Sequence, residues 1–345
     1  MSLRDEIFQQ ANVLQGMLEK QRDHIRKIAE KIKEHKIKYF FLVARGTSDN
    51  AGLYAKYLFG VHNHIPVALA APSLFSIYNA PPSLDSALVL AISQSGQSPD
   101  IVAVIEGGKK QGVPTMAITN NVNSPVGQIC DYSIDILAGE ERAVAATKTY
   151  TAELMAIAML SAALSDDKNV FKELHRVPEY VSLALRLESP INRAVEKFYD
   201  MDQCVVIGRG FNYATAFEWA LKLKELAYVV AEPYSSADFL HGPIAMVERG
   251  FPVMLVTPSG RVYPQLLELV KELNSTKKAN LLVISDEEEI LDLCTTPLKL
   301  PGNIPEWISP LVSIVPAQLF SYSLAKLKDY DVEKPRGLTK VTKTT

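Results

Sequence analysis

The 345-residue chain has only three cysteines, and Cys130, Cys204 and Cys294 are too far apart to form a CxxC pair. An odd number at that spacing indicates neither a disulfide framework nor a zinc site. Histidine is also scarce: of six, only His62 and His64 are close together, and the pair reads as a surface loop rather than a metal site. No apolar stretch is read as reaching transmembrane length and the N-terminus has no h-region, so a cytoplasmic protein without a membrane partner is expected. Positive charge is not in excess, since 36 Lys and Arg face 39 Asp and Glu for a net charge of −3, and nucleic acid finds no basic field. Glycine is missing where a dinucleotide fingerprint needs it. Gly208-Arg209-Gly210 follows an apolar run, but the third glycine position holds Tyr213, and no acidic residue is evident about twenty positions on to take the ribose. Neither a cofactor nor a metal is therefore expected.

What is present is a soluble globular composition, 48% apolar and 22% charged, in a chain long enough for two domains of ordinary size. The central stretch is Ser93-Gln94-Ser95-Gly96-Gln97-Ser98-Pro99, which follows the apolar run Ala87-Leu88-Val89-Leu90-Ala91-Ile92. Such a run, closed by small polar residues, reads as a strand buried on both faces. Ser98 suits an N-cap, Pro99 the first helical turn, and Asp100 the positive end of the macrodipole. Hydroxyls and an amide thus sit beside backbone N–H groups left free by the helix, a setting that fits a phosphate or serves simply as a polar turn.

Around this stretch strands and helices alternate. Arg4 to Glu34 carries Ile7, Leu14, Met17, Leu18, Ile25 and Ile28 at near-helical spacing, an amphipathic helical lead-in. Strands are expected at 38–44, near 67–70, at 87–92, 114–119 and 132–137, with a long Ala-, Leu- and Met-rich helix over 148–164. The pattern then repeats. Arg209-Gly210 lies 164 positions after Arg45-Gly46, and Ser259-Gly260 lies 164 after Ser95-Gly96, with 281–285 and 297–302 repeating the fourth and fifth strands. The chain therefore reads as α/β, two copies of one domain, each a parallel sheet with flanking helices. The boundaries are a lead-in (1–34), a first domain (35–165), a helical linker (166–195), a second domain (196–330) and a tail (331–345). The second copy has Thr257-Pro258-Ser259-Gly260 and lacks the run of hydroxyls, so only the first looks like a phosphate cradle.

Three later stretches carry candidate chemistry. In the helix after Gly210, Phe217, Leu221, Glu225 and Tyr228 or Val229 share a face, so Glu225 interrupts an apolar stripe. Burial there would raise its pKa toward the range of a proton shuttle, while a salt pair with Lys222 or a solvated edge position is the plainer reading. His241 precedes Gly242-Pro243, which constrains its backbone and suits either acid–base work or a loop. The polar end, Asp331 to Lys340, reads by itself as a solvated tail.

Six stretches in order carry a resemblance: Gly46-Thr47-Ser48, Ser93-Gln94-Ser95-Gly96, Val144-Ala145-Ala146-Thr147-Lys148, Leu221-Lys222-Leu223-Lys224-Glu225, His241-Gly242-Pro243, and Asp331-Val332 to Lys340. Together they resemble the two-domain sugar-isomerase (SIS) family, in particular the isomerase half of glucosamine-6-phosphate synthase. The resemblance implies two tandem SIS domains. It implies that Thr47, Ser48, Ser93, Gln94, Ser95 and Ser98 hold the phosphate of a hexose 6-phosphate, with Val144, Ala146 and Lys222 also in the sugar site. His241 would open the sugar ring, reaching across to the neighbouring subunit of a homodimer. Glu225 would move the proton between C1 and C2, and Lys340 would meet the open-chain carbonyl as a Schiff base, the tail acting as a lid.

The chain departs from that family at Arg45, where cysteine is usual, at Ala146 for a hydroxyl residue, at Leu240 for a lysine, and at Gly337 for asparagine. There is no cysteine before Cys130, so ammonia release from glutamine by the synthases' N-terminal cysteine is not expected. The expected activity is that of a phosphosugar isomerase or deaminase of amino-sugar metabolism, with glucosamine-6-phosphate deamination first. A fructosamine 6-phosphate deglycase, a plain isomerase, a synthase subunit with a separate ammonia source and a non-catalytic sugar-phosphate sensor are the alternatives.

Overall fold

In the computed structural model of the chain, residues 2–165 and 167–340 are described, so the last five positions of the expected tail lie outside them. Two five-stranded sheets are present, and every pairing in both is parallel. The first holds β1 (Tyr39–Val43), β2 (Val67–Leu69), β3 (Ala87–Ile92), β4 (Thr115–Thr119) and β5 (Tyr132–Asp135) in the order β2-β1-β3-β4-β5. The second holds β6 (Gln203–Gly208), β7 (Val230–Ser235), β8 (Pro252–Val256), β9 (Asn280–Ser285) and β10 (Thr296–Lys299) in the order β10-β9-β8-β6-β7. Read from the other edge, this is the same topology, so the 164-residue register in the sequence is a duplication of fold.

All six residues of β3 are fully buried. Ala87, Val89 and Ala91 pack on Ile101, Val104 and Ile105 of the following helix, Pro99–Lys110, and the alternate residues face the other layer. Cover on both faces is what a continuous apolar run requires. One strand was not legible in the sequence: β7 contains Glu232 and Pro233 and buries only Ala231 among its six residues. It is an edge strand, the place where a proline costs no ladder bond.

The lead-in forms helices Leu3–Phe8, Gln10–Lys20 and Arg22–Glu34, and all six of its periodic apolar residues are buried. Two expectations are corrected. Glu306–Leu327 is long and apolar enough to cross a membrane by length and composition, but 94% of its apolar window is buried inside the fold, where it packs on helix Tyr213–Ala227 as a core helix. His62 and His64 are not in a loop: His62 lies in the last turn of helix Thr47–Asn63 and His64 caps it in the left-handed conformation (φ 56°).

The chain forms two compact units that are not contiguous in sequence. Among the described residues, one gathers 12–141, 148–176 and 339–340; the other gathers 2–11, 142–147 and 177–338. The first sheet belongs to the former unit and the second sheet to the latter.

Candidate functional site

In the first sheet the chain runs from β1 outward to β2 and then returns to the far side of β1 as β3. That reversal makes the carboxyl ends of β1 and β3 the switch point, where open parallel sheets bind ligands. The turns that follow these two strands are Arg45-Gly46-Thr47-Ser48 and Ser93 to Ser98, the two stretches expected to hold phosphate.

The second turn is built as a cradle. Ser93 Oγ accepts the Gly96 N–H at 3.1 Å and Ser95 Oγ accepts the Gln97 N–H at 3.4 Å, so each hydroxyl keeps its own proton to give to an anion. Ser98 occupies the N-cap position, yet its side chain makes no cap bond. Ser48 is different, because its hydroxyl donates to Glu153 Oε1 at 2.8 Å. Thr47 opens helix Thr47–Asn63, adding a second helix N-terminus. Arg45 bridges the two turns: its Nε donates to the buried Asp100 carboxylate at 2.7 Å.

Gly96 is obligatory here. Its φ is +62°, and a Cβ would lie 1.9 Å from Ser124 Oγ. Gly96→Ala must displace Ser124 and hold a left-handed backbone at a cost of about 1–2 kcal/mol. Binding of a hexose 6-phosphate is expected to weaken about tenfold, read by isothermal titration calorimetry; unchanged affinity would remove the turn as the phosphate site.

The equivalent turn of the second sheet is already filled. Ser259 donates its N–H and its hydroxyl to Asp286, both at 2.7 Å, and the Arg261 N–H goes to Glu306 at 2.9 Å. Internal carboxylates take the donors that a phosphate would need.

Within the same unit as the cradle, Glu141 is a buried carboxylate that no sequence signal singled out. Its oxygens accept from the Thr149 N–H (3.2 Å), Thr149 Oγ1 (2.6 Å), Gln94 Nε2 (3.0 Å) and Lys340 Nζ (2.9 Å). Lys340, placed in the sequence at the end of a solvated tail, is thus docked, with its side chain 27% exposed against 0% for Glu141.

The other unit holds the remaining candidates. Loop 142–147, which carries Val144 and Ala146, is staked by the buried Glu6, whose carboxylate accepts the N–H of Arg142 (2.5 Å) and of Ala143 (3.2 Å). On helix Tyr213–Ala227, the stripe through Phe217, Leu221, Glu225 and Tyr228 is half-exposed, not buried. The buried faces carry Glu218, Trp219, Lys222, Leu223 and Leu226, because the helix is covered by β6 and β7 on one side and by Ser309–Leu327 on another. Glu225 therefore keeps 22% of its side chain exposed and pairs with Lys222 at 2.5 Å, while Lys222 and Glu218, 3.3 Å apart, are both fully buried. Burial pulls the Lys222 ammonium down, but the charges of Glu218 and Glu225 outweigh it and leave it above its ordinary range. Glu218 was missed, although its position four residues before Lys222 is the ordinary ion-pair spacing.

His241 ends the short helix Ser236–Leu240, is exposed, and precedes Gly242 at φ 147°. The tail is pinned as far as Arg336. Val332 and Pro335 are buried, Glu333 accepts the Leu3 N–H at 2.9 Å, and the Arg336 guanidinium lies 4.3 Å over the Tyr228 ring.

The SIS domain model matches twice, over residues 34–163 and 197–328. A glutamine–fructose-6-phosphate aminotransferase (isomerizing) of Thermococcus kodakarensis is 37% identical across 97% of this chain, which spans only 56% of that relative. The solved C-terminal domain of the glucosamine-fructose-6-phosphate aminotransferase of Francisella tularensis is 30% identical with a TM-score of 0.87, covering 96% of this chain and 98% of that one. A glucosamine-6-phosphate deaminase of Thermotoga maritima, at 23% identity and a TM-score of 0.78 over 99% of this chain, shares the fold. With both sheets matched and nearly the whole of a solved aminotransferase C-terminal domain covered, the chain belongs to the SIS-domain family and carries two SIS domains.

Proposed function

We propose that the protein is a phosphosugar isomerase–deaminase that moves a proton between C1 and C2 of a hexose 6-phosphate with loss or gain of the C2 amine. The observation that carries this reading is the cradle after β3, with free hydroxyl protons at the switch point and a lysine ammonium held within the same unit by Glu141. The similarity to isomerizing aminotransferases supports it.

In this reading Thr47, Ser93, Gln94, Ser95 and Ser98 bind the phosphate, with Ser48 contributing through the helix N-terminus that it helps to form. Phosphate contacts are made equally in ground and transition states, so they supply binding rather than rate. His241 opens the ring, from the neighbouring subunit of a homodimer. Glu225 takes the C2 proton of the open aldose and returns it to C1, so that the 2-amine becomes an imine. Its exposure lets it meet substrate, and the buried Lys222 beside it stabilises the carboxylate before the first transfer and after the second. Lys340 then adds to C2 and displaces ammonia, and water hydrolyses the resulting imine to fructose 6-phosphate. Val144 and Ala146 line the sugar, and Ala146 with Leu240 leaves room for a larger amine substituent, which keeps the deglycase as the second reading.

A proton NMR time course with glucosamine 6-phosphate tests this. Fructose 6-phosphate and ammonium are expected to appear together; an unchanged spectrum excludes plain deamination and directs the same assay to fructosamine 6-phosphates.

A further inference from the structure

We propose that Glu141 is a catalytic proton carrier for the Lys340 amine: it docks that lysine on the cradle unit, takes a proton from it and gives the proton back to the reacting group while the imine forms. The inference rests on the reading of Lys340 as the imine-forming lysine.

Glu141 sits between two parts of the proposed machinery. One of its oxygens, Oε2, accepts from Gln94, a cradle residue, from Thr149 Oγ1 and from Lys340 Nζ, while Oε1 accepts the Thr149 backbone N–H. A carboxylate with a fully buried side chain is strongly disfavoured without compensating charge and hydrogen bonds. The Lys340 ammonium supplies charge, and Thr149 fixes the carboxylate at the start of helix Lys148–Leu164, where the macrodipole also favours an anion. The lysine is thereby tied to the phosphate turn through Gln94, so a sugar phosphate seated in the cradle meets an amine whose position is already set.

An ammonium cannot attack a carbonyl. At 2.9 Å, Glu141 Oε2 is within proton-transfer reach of Nζ. The Lys340 ammonium gives one proton to Glu141, and the freed nitrogen pair forms the bond to C2 of the ketose as the carbonyl π pair moves to oxygen. A proton passes from that nitrogen to the oxygen, giving a neutral carbinolamine. Glu141 then returns its proton to the hydroxyl, which leaves as water while the nitrogen pair closes the C=N bond. The carboxylate is regenerated, and the three ammonium hydrogens end as one on the iminium and two in water.

The test is reductive trapping with cyanoborohydride in the presence of fructose 6-phosphate, with the adduct located by peptide mass spectrometry in wild type, Glu141→Gln, Glu141→Asp and Lys340→Ala. Wild type is expected to be labelled at Lys340 and Lys340→Ala is not. Glu141→Gln is expected to form adduct about a hundredfold more slowly at saturating fructose 6-phosphate. Its rate should climb with pH as solvent base takes over the proton. Glu141→Asp, which keeps the carboxylate, is expected to trap at least tenfold faster than Glu141→Gln. Trapping by Glu141→Gln at the wild-type rate, or by Glu141→Asp as slowly as Glu141→Gln, overturns the role of Glu141 while leaving the imine in place. Absence of any Lys340 adduct in the wild type overturns the imine reading itself, and this proposal with it.

Discussion

Glu225→Gln is expected to lower turnover of glucosamine 6-phosphate by about 10²–10⁴-fold, the usual contribution of a positioned acid–base group, with KM changed little. The amide keeps the size and polarity of the carboxylate but cannot accept the C2 proton. The substitution leaves the fold intact, because Glu225 is the partly exposed member of the ion cluster and the buried Lys222 retains Glu218 at 3.3 Å. Steady-state kinetics together with exchange of the C2 proton into deuterated water provide the measurement. Exchange in the variant at the wild-type rate would assign the proton shuttle to another group.

The second large effect is on stability. Lys222→Met is expected to destabilise the protein by about 3–5 kcal/mol, the range for breaking a buried ion pair by removing one partner, read as a lower urea midpoint with an unchanged slope. The loss arises because Glu218, buried with Lys222 in the core of its unit, then loses the ammonium held 3.3 Å from it. Adding Glu218→Gln to Lys222→Met should recover part of the loss, and additivity of the two would mean that the pair is not coupled. The pH dependence has a definite sign. The folded-state value of Lys222 is raised, so its contribution is fully present below the unfolded lysine value of about 10.4 and is lost only as pH rises through the higher folded value. Stability from this cluster should therefore be flat across neutral pH and decline in strong alkali.

Nine of the ten strands among the described residues were legible because buried parallel strands are written as short apolar runs closed by turn residues. The tenth, β7, has a polar edge sequence with Pro233, and only the neighbouring β6 makes it a strand. On helix Tyr213–Ala227 the apolar stripe through Phe217 and Leu221 pointed to the wrong face. The helix is covered from two directions, so the charged residues Glu218 and Lys222 are buried together, and the stripe with Glu225 is left accessible. Periodicity assumes one buried face, and a helix between a sheet and a core helix has more than one.

The sequence by itself determined the duplicated parallel α/β architecture and the hydroxyl-rich turn after β3, because strand patterning and turn chemistry are local properties. Only the tertiary structure decided that this turn lies at a switch point, that its counterpart is filled by Asp286 and Glu306, and that Lys340 reaches Glu141. Those facts depend on strand order and on partners 27 to 199 positions apart, and contacts at such separations are set by how the sheets close, which no local pattern encodes.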